Sequence, residues 1–471
     1  MIKTLRNVFN SESENSQAFF NILSTGIVGG INFITLPIFT NALGTENFGE
    51  VSLYLTWVQI FTLFIGLQSS GTFASASVAF PKNEQTSYQK SILVFSLICA
   101  SVLCTASLLF LEQLSYLFSL DKFVVVCILI QSLGAYCISL FNNRYIFTKQ
   151  AQKNFIISLL LCVVTTIGSL ILVFTLFSSN TSLGRILGLA IPNIIIGAAL
   201  AIPLLLNKNA HIRIKYWLFC LPLCIPMVFH SLGQLILGQT DRIMLQWIGG
   251  GLTIVGVYSL GATIAQLLSV VYTALNNAFV PFFYEDLQKN NTEQLNQRFN
   301  RYIKLFMLGT LFFTAISPEL ILLLSGSDYW DATIVTPILI VGYYLVFCYS
   351  FPVNFEFYLR KTTSIAIGTL AAAVLNIVLN FVLIPSLGLL GAGISTTVAY
   401  GFLFMFHSLM AYKMDRKNGL PYKKLLSSLV CVTIVAIAIT IFRDQTIIRL
   451  VFAGLVSILL VRHLLKEKAF F

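Results

Sequence analysis

LPLCIPMVFHSLGQLILGQTDRIMLQWIGGGLTIVGVYS, the stretch from Leu221 to Ser259, decides how the chain is read. It opens as an apolar run long enough to cross a bilayer. Yet it carries His230, Gln234, Asp241 and Arg242 where a plain lipid anchor would hold Leu or Val. At 100° per residue His230, Gln234 and Asp241 fall within about 40° of one another, on one helix face. Ionisable groups at membrane depth are costly, so they turn to a protein interior or a wet cavity. A polar-striped, hydrated cavity inside a membrane bundle is what a transporter requires.

The rest of the chain supplies the bundle. Of 471 residues 57% are hydrophobic and 10% charged, against roughly half and a quarter in a soluble domain. That balance specifies an integral membrane protein. Apolar segments of about 20 residues recur at 17–43, 48–69, 90–111, 123–145, 155–177, 186–206, 217–244, 255–280, 303–324, 334–358, 363–384, 390–412, 425–441 and 447–465. The alternation of a membrane β-barrel is absent, so the expected fold is all-α with about fourteen transmembrane helices. No polar insert is large enough for a soluble domain. The longest connection, Pro281 to Tyr302, is expected to form a short amphipathic surface helix. The opening MIKTLRNVFNSESENS is mixed polar and the first apolar segment is too long for a signal peptide, so the first span should be retained.

The net charge of +11 comes from basic residues at span ends and forms no dense patch, which argues against a nucleic-acid partner. All nine cysteines lie in apolar segments without metal-ligand spacing, and the closest pair, Cys220 and Cys224, is expected only to pack. No cofactor or metal site is expected. With the N-terminus in the cytoplasm, 24 of the 29 Lys and Arg residues fall on the cytoplasmic side. The other 5 are Lys122, Arg185, Arg242, Arg443 and Arg449. Such a bias is the positive-inside signal, and it puts both termini in the cytoplasm of a multi-pass bacterial inner-membrane protein.

An internal echo divides the chain. Leu43-Gly-Thr-Glu-Asn-Phe-Gly-Glu-Val51 follows the first span, and Ile248-Gly-Gly-Gly-Leu-Thr-Ile-Val-Gly-Val257 follows the seventh, with Gly49 and Gly256 207 residues apart. A Leu-Gly pair precedes the sixth span at Leu183-Gly184 and the twelfth at Leu387-Gly388, 204 residues apart. Two parallel six-span repeats follow, about an axis along the membrane normal. The expected domains are residues 1–210 (spans one to six), 211–415 (spans seven to twelve) and 416–471 (two further spans and a tail).

Three motifs carry a family resemblance. Leu43-Gly44-x-x-Asn47-Phe48-Gly49 is similar to the end of the first span in the Wzx-type polysaccharide flippases. So is Asp241-Arg242-Ile243 ahead of Val255-Gly256-Val257-Tyr258-Ser259, and so is Leu383-Ile384-Pro385-x-x-Gly388-x-x-Gly391-Ala392. Those flippases share a superfamily with the MATE drug exporters and MurJ-like lipid II flippases. The resemblance implies two six-helix lobes, related by a pseudo-two-fold axis, around a central cavity that opens alternately to either side. It implies an undecaprenyl-pyrophosphate-linked oligosaccharide as cargo, flipped from the inner to the outer leaflet for capsule, O-antigen or exopolysaccharide synthesis. Its implied partners are the lipid bilayer, that lipid-linked oligosaccharide, and a polysaccharide polymerase with chain-length proteins. Many relatives carry an arginine near the cytoplasmic end of span two, where this chain reads Gly66-Leu-Gln-Ser-Ser-Gly-Thr72.

The residues suggest how cargo would be held. On span one Asn21, Ser24, Thr25, Asn32 and Thr35 share an arc of about 100°, and on span eight Ser259, Thr263, Gln266, Thr273 and Asn277 share about 80°. Hydroxyls and amides match sugar hydroxyls, which need paired donors and acceptors once desolvated; interhelical hydrogen bonding is the competing role. The candidate substrate-binding residues are Arg242, Gln234, Asn32, Gln266, Asn277 and Arg185. Arg242 would hold a pyrophosphate bidentately, or else form an interfacial salt bridge with Asp241 or snorkel to the interface. Asp241 and His230 are the ion-coupling candidates. Glu356 and Arg360, four apart, are expected to pair. Pro37, Pro192, Pro222, Pro226 and Pro352 should kink their spans.

Two other functions compete. A MATE-like, cation-coupled exporter of small molecules needs a buried carboxylate, and the first six spans hold theirs (Glu46, Glu50, Glu84, Glu112) at span ends. A membrane enzyme needs large external loops with clustered acids, and every outer loop here is short. The expected protein is a transporter rather than an enzyme. Single cysteines in the 178–183 and 386–390 loops should be labelled by an impermeant reagent from outside the cell; labelling only from the cytoplasmic side would reverse the topology.

Overall fold

A computed structural model describes residues 14–415 and 419–467. Lys3, Arg6, Arg416, Lys417 and Lys468 of the charge count, and the side chains of Asn21 and Thr25, lie outside the described residues. The helices are α1 (Glu14–Gly66), α2 (Phe73–Ala79), α3 (Lys82–Leu109), α4 (Leu111–Phe118), α5 (Lys122–Phe147), α6 (Ala151–Phe174), α7 (Thr181–Leu206) and α8 (Ile214–Ile248). They continue with α9 (Leu252–Gln288), α10 (Thr292–Ser325), α11 (Ala332–Tyr358), α12 (Thr363–Leu387), α13 (Leu389–Met414), α14 (Tyr422–Ile441) and α15 (Thr446–Glu467). No strand occurs among the described residues, as the spacing of apolar segments requires.

Thirteen of these helices are long and apolar enough to cross a membrane. The fourteenth expected span is contained in α1, which is 53 residues long and broken at Gly44, where φ is 70° and ψ is 178°. A side chain is strained at that φ, so the Leu-Gly motif marks the joint between two spans that the backbone otherwise runs together.

The chain packs as two compact units, residues 1–235 and 236–471, and the division falls inside α8. Unit one is built around α5. A Cβ on Gly134 would lie 2.4 Å from the carbonyl oxygen of Asn193 on α7, and one on Gly197 would lie 2.8 Å from the Cα of Gly134. The backbones of α5 and α7 therefore touch, in the manner of small-residue packing in bilayers. Polar groups pair between helices within the unit: Tyr54 donates to Gln131 Oε1 at 2.6 Å, and Ser96 donates to Tyr136 at 2.6 Å. Cys220 and Cys224 are buried with their Sγ atoms 3.2 Å apart.

Unit two has an aromatic core. Phe306 stacks on Phe347 at 4.3 Å and Tyr302 meets Phe347 edge-on at 5.1 Å, with Phe279 4.7 Å from Tyr302. Such geometries add about 0.5–1.5 kcal/mol per pair to the area they bury.

Two expectations are corrected. Residues 281–302 form no separate surface helix: α9 and α10 run on into them and leave only a turn at 289–291. Asn291 caps α10 by accepting from the Gln294 N–H at 3.2 Å, and Arg298 pairs with buried Asp286 at 2.8 Å, which ties the two helix ends together. Glu356 does not pair with Arg360. Its carboxylate is fully buried against His407 Nδ1 of α13, at 2.8 Å, and accepts from Ser364 Oγ. Arg360 lies past the end of α11 at φ 57°, so the helical i,i+4 geometry that the pair needs has already ended.

Gly134→Ala should lower the melting temperature in detergent by several degrees, because overpacking a tight crossing costs about 1–3 kcal/mol. Gly454→Ala, which meets no atom within 4 Å, should leave it unchanged. Equal melting temperatures for both variants would show that α5 and α7 are not in backbone contact.

Candidate functional site

Asp241 of α8 is the most completely enclosed carboxylate of the predicted site, at 2% exposure. Three helices deliver its partners. From α12, Asn380 donates to Oδ1 at 2.7 Å and Asn376, one turn earlier, at 3.4 Å. From α13, Thr396 donates to Oδ2 at 2.5 Å, and from α9 the Tyr258 hydroxyl donates to the same oxygen. Four neutral donors thus hold the group, and no ion pair to it occurs among the described residues. Asn376 Oδ1 accepts from Asn380 at 3.3 Å, and Asn380 Oδ1 is buried without a partner. Two amide N–H groups and two hydroxyls surround the carboxylate with no thiolate or imidazole among them, so the site suits a proton or a hard cation rather than a soft metal. Among the described residues no group of three His, Cys, Asp or Glu side chains could hold a metal.

The salt bridge between Asp241 and Arg242, one of the alternatives open to the pair, does not occur among the described residues. Consecutive residues on a helix point about 100° apart and do not face each other. Arg242 is 8% exposed and donates to Ser259 Oγ at 3.1 Å, to the Gly238 carbonyl at 3.0 Å and to Gln239 Oε1 at 2.7 Å. It fastens α8 to α9.

The other predicted residues are dispersed. Gln266 and Asn277 are exposed on α9 in unit two, whereas Thr263 and Thr273 of the same stripe bond the carbonyls of Ser259 and Ser269, each at 2.7 Å. Asn276, next to Asn277, accepts from Asn354 at 2.9 Å. In unit one Asn32 and Gln234 are exposed and His230 is half-buried, so the face that reads as one stripe passes through three environments. Ser24 is buried and Thr35 bonds the Ile31 carbonyl at 2.8 Å. The Arg185 guanidinium lies 3.8 Å over the Phe39 ring, where a cation is held by the ring face.

Unit one also contains a cavity that the stripes did not mark. It has a volume of about 330 Å³ and is lined by Gln59, Thr62, Gln68, Ser70, Tyr136, Ser139 and Ser231 among apolar residues. Gln68 is in the left-handed conformation, at φ 57°, and Ser139 donates to Ser70 at 3.3 Å. Every polar group in its wall is an uncharged hydroxyl or amide. The sequence signal was the run Gly66 to Thr72, notable for lacking an arginine; its significance lies in what stands there instead. In unit two a wholly different cavity of about 380 Å³, lined by Leu267, Val271, Phe306, Phe313, Leu460 and Leu464, has the apolar walls of a hydrocarbon site.

A family model described as "Polysaccharide biosynthesis protein" matches residues 16–285. An "Uncharacterized membrane protein" of Haemophilus influenzae is 26% identical over 384 residues, covering 79% of this chain and 88% of its own. "Lsg locus putative protein 1" of the same organism is 22% identical over 355 residues, covering 71% and 82%. Among solved structures, the lipid II flippase MurJ in an inward closed conformation is similar over 96% of this chain and 99% of its own, with TM-score 0.65 and 15% identity. An inward-facing MATE multidrug resistance transporter of the MOP superfamily is similar over 82% and 96%, with TM-score 0.58 and 16% identity. These likenesses establish the fold.

Removing one donor by Thr396→Val should cost about 1 kcal/mol of stability in detergent. Asp241→Leu, which strands four buried donors at once, should cost about 3 kcal/mol or more. A leucine variant as stable as the parent would mean the cluster is not formed.

Proposed function

Because the chain belongs to the polysaccharide biosynthesis protein family, we propose that it flips undecaprenyl-pyrophosphate-linked oligosaccharide units from the inner to the outer leaflet of the bacterial cytoplasmic membrane. The units serve capsule, O-antigen or exopolysaccharide assembly. The observation that carries this reading is the neutral polar cavity of unit one. Its hydroxyls and amides offer sugar hydroxyls the alternating donors and acceptors that dehydrated saccharides need, without a charge that would favour an ionic drug. Exposed Asn32, Gln234, Gln266 and Asn277 extend the same chemistry along their helices. The apolar cavity of unit two suits a stretch of isoprenoid chain.

In this reading residues 1–210 and 211–415 act as the two transport lobes, and the segment 416–471 adds α14 and α15. Asp241 is the coupling group. The carboxylate takes up a proton or a cation and releases it, and the four donors around it re-form in step. Arg242 and Arg185 anchor helices, the first at Ser259 and the second over Phe39, and support the cargo path rather than carrying it. His230, half-buried on α8, is a secondary coupling group. Export then delivers the lipid-linked unit to a polymerase and chain-length proteins at the outer surface. The termini lie in the cytoplasm.

Deleting the gene in its native host should leave polyprenyl-diphosphate oligosaccharide trapped on the inner leaflet, out of reach of an external glycosidase, while surface polysaccharide disappears. Unchanged surface glycan together with new sensitivity to small cationic drugs would replace this reading with a MATE-like exporter. In the complemented strain Asp241→Asn, at normal membrane levels, should reduce export at least tenfold; full export would remove Asp241 from coupling.

A further inference from the structure

At one end of unit one, the turn before α3 and the turn between α5 and α6 border a cavity of about 820 Å³, separate from the neutral cavity lined by Gln59 and Gln68. Lys82, Arg144 and Lys149 line it together with Gln85, Thr148 and Gln150. The acid nearest in sequence, Glu84, is already taken by Lys215 at 2.6 Å and by the Tyr216 hydroxyl at 2.8 Å. No ion pair to Lys82, Arg144 or Lys149 occurs among the described residues. Three cations thus converge on one concavity without a counter-charge.

Two backbone features add to that field. Helix α3 begins at the lining residue Lys82 and α6 begins after the lining residue Gln150. Neither N-cap, Pro81 or Gln150, caps its helix with a side chain. Helix N-termini carry partial positive charge and favour anions. The third feature is a fixed donor. Arg144 is held by Gln89 Oε1 and by Thr86 Oγ1, the latter at 3.0 Å, which orients its guanidinium at the pocket wall. Apolar side chains border the mouth: Val78 is 90% exposed and Phe147 43%. A cationic pocket with an apolar lip fits an amphiphile, a phosphate group with hydrocarbon attached.

We propose that this pocket binds the phosphate groups of a lipid headgroup. It would take the diphosphate of the lipid-linked cargo at the membrane surface, ahead of the neutral cavity that receives the sugars. The choice of that lipid rests on the flippase reading; the recognition of phosphate does not. Lys82 and Lys149 supply mobile charge, and Arg144, fixed by Gln89 and Thr86, supplies the oriented donors.

The test uses the full chain in phosphatidylcholine nanodiscs, with retained lipid read by native mass spectrometry. Probes are undecaprenyl diphosphate without sugar and, separately, phosphatidylglycerol, each with and without inorganic pyrophosphate as competitor. Lys82→Gln combined with Lys149→Gln changes only exposed side chains and should weaken undecaprenyl diphosphate binding about tenfold or more; the control Lys304→Gln should not. Arg144→Gln should do the same, with its melting temperature checked alongside. If phosphatidylglycerol binding alone depends on the two lysines, the phosphate pocket stands, its ligand is bulk anionic lipid, and the flippase reading is weakened. If neither lipid responds to the lysine pair, the pocket assignment is wrong, whatever becomes of glycan export in the deletion strain.

Discussion

A polar atom inside a hydrocarbon slab has no water to fall back on, and the structure of this protein follows from that constraint. Helices satisfy the backbone, so the remaining problem is the side chains. Most are settled locally: Thr35, Thr263, Thr273 and Thr310 each return a hydroxyl to a carbonyl one turn earlier. Others are settled between helices, as Tyr54 with Gln131 and Glu356 with His407. Such pairs are possible only where backbones come close, and Gly134 against α7 and Gly391 against Leu383 bring them close. Small residues and paired polar groups are two aspects of one packing scheme.

Against that background the groups left open acquire meaning. Asp241 is surrounded by neutral donors rather than by a cation, which leaves its charge available to be changed. The cavity bounded by Gln59, Gln68, Ser70 and Ser139 keeps its hydroxyls and amides beside space rather than packing them away. The basic pocket at Arg144 keeps three cations without an ion pair among the described residues. A protein built only to sit in a bilayer would have no reason to retain three unsettled polar places of three different kinds. The proposed transport of an amphiphile with a diphosphate and a sugar chain would use each.

Arg242 and Arg185 illustrate how tertiary packing reassigns a residue type. From the sequence alone Arg242 and Arg185 could each hold a ligand or rest at the interface. In place, one guanidinium is divided among a serine, an amide and a carbonyl, and the other lies on a phenyl ring. A guanidinium is a structural fastener wherever acceptors or ring faces are near, and proximity of that kind depends on which helices become neighbours.

Membrane location, the all-α class and the number of spans were determined by the sequence alone, because a run of about 20 apolar residues has one stable conformation in lipid whatever surrounds it. The joint at Gly44 was legible for the same reason, since backbone freedom is a local property; Asp241 reads from the sequence as a group on a hydrated face, whereas in the structure it is enclosed at 2% exposure. Only the tertiary structure decided who shares Asp241, because Asn376, Asn380 and Thr396 lie more than a hundred residues away and carry no periodic mark of their own. It also decided that Glu356 answers to His407, and that the polar stripes divide between settled and open groups. Periodicity reports the face a side chain is on, while its partners depend on which face of which other helix arrives there.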